Sequence, residues 1–106
     1  MIEQATAILT ALARSDTTAL DRLCHDDVFI WGTDAGEVWQ GKPSLIATIQ
    51  GAYDLDVRWI GDPIAGLHWV AGVVEFRSQG AQPVRARVSM VFIDELLAHA
   101  HYSVAR

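Results

Sequence analysis

The stretch VRARVSMVFIDELLAHAHYSV, residues 84–104, decides how this chain is read. Strand side chains alternate, so Arg85, Arg87, Ser89 and Val91 share one face while Val84, Ala86, Val88, Met90 and Phe92 share the other. The second set is wholly apolar. Asp94-Glu95 marks a tight turn, and Leu96 to Val104 follows as another strand. An apolar strand face of this kind either packs on helices or meets a partner subunit, and alternation alone does not say which.

Working outward, Leu55 to Ile60 and Leu67 to Arg77 are two further strand-length runs. Asp62-Pro63 with Gly66, and Ser78-Gln79-Gly80, supply the turn chemistry between the runs. Upstream, Gly41-Lys42-Pro43-Ser44 opens a helix, with proline tolerated in its first turn and Leu45, Ile46, Ile49 and Tyr53 at helical spacing. Val28-Phe29-Ile30-Trp31 is rich in β-branched and aromatic residues and reads as a strand, ended by the loop Gly32-Thr33-Asp34-Ala35-Gly36. At the N-terminus Ile2, Ala5, Ile8, Leu9 and Leu12 gather on one helical face. Asp16 or Thr17 then caps a shorter helix carrying Leu20 and Leu23. The predicted order is α-α-β-α-β-β-β-β. Helices first and consecutive strands after them give an α+β fold, with helices packed in the concave face of a bent antiparallel sheet.

Composition bounds the rest. At 106 residues one domain, 1–106, accounts for the whole chain, and 51% apolar with 20% charged residues separates it from disordered sequences. The net charge is −5 and the eight basic residues are scattered along the sequence, so nucleic acid is not an expected partner. One cysteine, Cys24, allows no internal disulfide. With no leader pattern and no long apolar run, the expectation is a cytoplasmic protein without a membrane segment. Cys24 falls at the end of the second helical pattern beside Leu20 and Leu23, where a free thiol is read as a small core residue.

Specific residues carry a resemblance. Asp27-Val28-Phe29-Ile30-Trp31-Gly32-Thr33-Asp34 followed by Glu37-Val38-Trp39-Gln40-Gly41 resembles the SnoaL-like signature of the nuclear-transport-factor-2-like superfamily. His99-Ala100-His101-Tyr102-Ser103 resembles the last strand of those proteins and of the association domain of calcium/calmodulin-dependent kinase II, and Arg87-Val88-Ser89 the start of their penultimate strand. The turn Asp94-Glu95-Leu96-Leu97 departs from the family's Gly-Gly-x-Trp. The resemblance implies a cone-shaped roll enclosing a pocket, a homodimer joined through the sheet, and the Arg87 face looking into the cone. Val88, Met90 and Phe92 would then meet the partner. Polyketide cyclases and ketosteroid isomerase share the family with pure association domains, so fold alone does not choose among them.

The site expected from this reading comprises Trp31, Trp39, Trp69, Glu75, Arg87 and Tyr102. By parity Glu75 shares a face with Trp69 and falls near Arg87, forming either a charged pair inside the cone or a cross-strand ion pair at the solvent edge. Inside the cone Arg87 would anchor a small organic molecule, possibly anionic, among aromatic walls. Either the lack of a cavity or an Arg87 on the solvent face would turn the reading toward an association module. Asp34, Glu37 and Glu75 are the carboxylates available to a cofactor-free lyase or isomerase. His99 and His101 point the same way on their strand, without a third metal ligand in a recognisable arrangement. No metal and no cofactor is expected, and small-molecule binding ranks ahead of catalysis and of pure association.

Overall fold

The helices form where the apolar spacing places them. In the computed structural model, which describes residues 1–104, α1 (Ile2–Ala13) buries Ala5, Ile8, Leu9, Ala11 and Ala13. Asp16 caps α2 (Thr17–Leu23) by accepting the backbone N–H of Ala19 at 3.1 Å. The chain then enters β1 (Cys24–Trp31) directly. After the short strand β2 (Val38–Gln40), α3 (Lys42–Ile49) starts at Gly41, whose φ of 87° suits glycine. The remaining strands are β3 (Asp56–Ala65), β4 (Trp69–Arg77), β5 (Val84–Ile93) and β6 (Leu96–Val104).

The six strands form one open sheet in the order β2-β1-β6-β5-β4-β3. Helices α1 and α3 contact opposite halves of it, α1 over β3 and β4, α3 over β1 and β2. Between them lies the core, in which Ile8, Leu20, Cys24, Val28, Leu45, Val70, Val74 and Leu97 are fully buried. The α+β roll with helices on one sheet face is therefore as expected.

Three details differ from the sequence reading. β1 and β6 pair in parallel, with Ile30 opposite Ala100, so the sheet is mixed and not wholly antiparallel. No hairpin joins these two strands, and only a hairpin forces opposite directions. β2 is an additional strand, pairing Trp39 with Ile30 across the loop. β3 continues through Asp62-Pro63 with a register shift between Ile60 and Ile64, where a turn was expected.

The largest difference concerns which way the sheet faces. Val88, Met90 and Phe92 are 7%, 3% and 2% exposed and point toward the helices, while Arg85 and Arg87 lie on the outer, exposed face. Alternation groups the side chains of β5 into two sets; the helices then cover the apolar set, because covering guanidiniums would strand unpaired charge. The assignment of Val88, Met90 and Phe92 to a subunit contact does not hold.

Candidate functional site: the cavity between helices and sheet

The inner face of the sheet and the helices enclose a cavity of about 330 Å³. Its walls are apolar and come from α1 (Leu9, Leu12), α3 (Leu45, Ile49) and the inward positions of β5 (Ala86, Val88, Met90). Exposed Tyr53 and Val84 belong to the same lining, so the cavity opens where the α3–β3 connection meets the start of β5. The volume lies at the lower end of the range typical of small-ligand pockets.

Polar chemistry is concentrated at one place in this lining. Tyr102, inward on β6 opposite Val88, donates its hydroxyl to Glu37 Oε2 at 2.5 Å. Burial pushes the Tyr102 phenol well above its ordinary range, and the hydrogen bond to the Glu37 carboxylate and its charge push further the same way. Tyr102 thus stays a neutral donor. Its ring stacks on Trp39 with centroids 6.2 Å apart, and its other side lies on Gly32. A Cβ at position 32 would stand 2.3 Å from the phenol ring, so the Gly-Thr-Asp loop needs glycine to admit the tyrosine.

The loop from β1 to β2 holds Glu37 by its own backbone. Gly32 N–H donates to the Glu37 carbonyl at 2.7 Å, and Glu37 N–H to the Asp34 carbonyl at 2.9 Å. Asp34 N–H donates to Glu37 Oε1 at 2.9 Å. Thr33 Oγ1 accepts Val104 N–H at 2.6 Å and ties the loop to the end of β6. Glu37, Trp39, Tyr102 and Gly32 are therefore one preorganised unit, built from a loop, a three-residue strand and the last strand.

Of the six expected site residues the structure brings together two, Trp39 and Tyr102. Trp31 lies on the outer face, its ring against His99 and His101 at centroid distances of 4.6 and 5.0 Å. Trp69 is on the same face and 44% exposed. Glu75 is covered to 3% exposure, held by Arg77 at 2.9 Å and Arg58 at 3.0 Å, not by Arg87. These two guanidiniums, that of Arg77 foremost, hold its carboxyl below the usual range. Arg87 is exposed on the outer face and lines no part of the cavity, which removes the anion anchor. Glu37 was among the available carboxylates but not in the expected site; its spacing of two from Trp39 in Glu-x-Trp was the available signal. Cys24 is 1% exposed and burial raises its thiol to about 11, so it is no nucleophile at neutral pH.

Among the described residues no group of three or more His, Cys, Asp or Glu side chains is arranged for a metal ion, and no helix is long and apolar enough to cross a membrane.

Comparison with known proteins separates shape from sequence. No family model and no curated protein matches the chain. Solved structures do. A Kribbella flavida protein described as a candidate ketosteroid isomerase aligns at TM-score 0.82 with 15% identity, over 98% of this chain and 76% of its own. A Burkholderia xenovorans protein of unknown function, described as like nuclear transport factor 2, aligns at TM-score 0.76 with 19% identity, over 97% and 80%. A Catenulispora acidiphila protein with a ketosteroid isomerase-like fold, solved in complex with trimethylamine, aligns at 0.76 with 15% identity, over 94% and 83%. The chain has the nuclear-transport-factor-2-like fold. At these identities the likeness carries fold and nothing finer.

Proposed function

We propose that this protein binds a small, mostly apolar organic molecule in the cavity. One observation carries the reading: a cavity of about 330 Å³ with mostly apolar walls holds a braced polar unit of Glu37, Tyr102 and Trp39. Apolar walls with a few placed polar groups are the usual composition of a ligand site. The Catenulispora acidiphila protein, in complex with trimethylamine, supports small-molecule binding as one use of this fold. Arg87 on the solvent face is one of the two outcomes expected to favour an association module; the cavity is nevertheless present, and ligand binding is retained on its own polar unit, without the anionic ligand.

A thermal-shift screen of small cyclic ketones, amines and acids tests this, with binding followed by tryptophan fluorescence. Tyr102→Phe and Trp39→Leu should weaken any hit, and Arg87→Ala should leave it unchanged. A hit that resists both cavity variants places the ligand elsewhere.

Catalysis of the lyase or isomerase type is the second reading, favoured by Glu37 being a carboxylate at the cavity within hydrogen-bond reach of a phenol. Turnover of a cyclic ketone that disappears in Glu37→Gln would establish it.

Self-association through the outer sheet face is proposed alongside ligand binding. That face exposes Trp69, Val91 and Ile93 and carries the Phe29, Trp31, His99 and His101 ring cluster. Sedimentation equilibrium should show a dimer that Val91→Asp converts to monomer, and a wild-type monomer at micromolar concentration ends the proposal.

A further inference from the structure

The cavity has a sign. Among the described residues its lining contains no lysine and no arginine, and its ionisable groups are Glu37, His101, Tyr53 and Tyr102. The described cations are engaged or directed elsewhere. Arg14 pairs with Asp54 and Asp56, Lys42 with Asp21 and Asp26, and Arg58 and Arg77 with Glu75. Arg22, Arg85 and Arg87 are exposed. The ring of His101 lies against Trp31 of the outer face.

The Glu37 carboxylate accepts the Tyr102 hydroxyl and the Asp34 backbone N–H. Its two modest partners, one backbone N–H and one phenol O–H, supply no positive charge. A carboxylate offers about four lone-pair directions, so two remain for a ligand. The Tyr102 proton is already committed to Glu37 and is not free to bind a ligand oxyanion, which the carboxylate would in any case repel. Beside it stands the ring of Trp39, stacked on Tyr102 by one face, and an electron-rich indole face attracts cations.

Resting on the ligand-binding reading above, we infer that the cavity selects an organic cation: an amine or ammonium carried on a compact apolar body, its charge against Glu37 and the Trp39 ring. The apolar body fills the walls given by Leu9, Leu45, Val88 and Met90.

Three probes of one shape test the sign separately from the cavity: phenyltrimethylammonium, its uncharged isostere tert-butylbenzene, and the anion benzenesulfonate. Affinities are read by tryptophan fluorescence and calorimetry at low and moderate salt. The cation should bind ~tenfold or more tighter than the neutral isostere, the sum of a carboxylate contact and a cation–π contact. Benzenesulfonate should bind most weakly. Added salt should weaken the cation and leave the neutral probe unchanged.

Glu37→Gln should weaken the cation more than the neutral probe, leaving only the part of the preference that the Trp39 ring supplies. Should that variant fold poorly, Trp39→Leu, which keeps the charge and removes the aromatic face, should still lower the cation's advantage. A neutral isostere that binds as tightly as the cation, or a preference undiminished in Glu37→Gln, overturns the inference while the cavity remains a ligand site. If neither probe binds, the ligand-binding reading falls and this inference with it.

Discussion

Gly32 carries more of the site than its size suggests. The phenol of Tyr102 occupies the space where a side chain would begin, so Gly32→Ala forces the ring away from Trp39 and Glu37. Overpacking of this kind costs about 1–3 kcal/mol, and urea denaturation should show it together with an altered near-ultraviolet circular dichroism signal. Glu75 sets a different dependence. Its carboxyl is held low by Arg77 and Arg58, both more than half exposed, so water screens the pair and its contribution is small. The sign is determinate: a depressed folded value contributes stability above the unfolded value, ~4.3 for glutamate, and loses it as pH falls through the folded one. Stability measured from pH 5 downward should therefore decline less steeply in Glu75→Gln than in wild type, and an identical slope would show the ion pairs to be idle.

The β5–β6 hairpin is the element where local geometry and sequence disagree. Asp94 and Glu95 both adopt positive φ, 52° and 65°, in a two-residue turn, a conformation that favours Asn-Gly. A left-handed residue other than glycine costs roughly 1–2 kcal/mol, so Glu95→Gly should stabilise the protein by about 1 kcal/mol in chemical denaturation. The bounds of β5 and β6 were readable to the residue, because period-two alternation ends abruptly at a turn. Which face of β5 turns inward was not readable, since alternation sorts Arg87 from Val88 without saying where the helices lie. β2 escaped because Val38-Trp39-Gln40 is too short to show a period. The same ambiguity governed the site. Trp39 and Tyr102 were among the expected site residues and line the cavity; Trp31, Trp69, Glu75 and Arg87 sit on the other side of the sheet. Glu37 is held in the site by a loop folded back on its own backbone, and the Glu-x-Trp spacing was the one hint of it in the sequence.

Across the whole molecule, the arginines that are scattered in sequence are gathered by the sheet. Arg58, Arg77, Arg85 and Arg87 share the outer face over β3, β4 and β5, with Glu75 among them, in a chain of net charge −5. Strand order has a consequence of its own. β6, the last strand in the chain, lies between β1 and β5 near the middle of the sheet. Until its residues leave the ribosome, a nascent chain holds two half-sheets, each with a raw edge and nothing to close the gap. Pairing so distant in sequence is slow to form, and unpaired edges invite association between unfinished chains. A fragment ending at Asp94 should therefore lack cooperative thermal unfolding by circular dichroism, and an added peptide of residues 95–104 should restore it. Until Leu96 to Val104 have been made there is no continuous sheet for a chaperone to let go of.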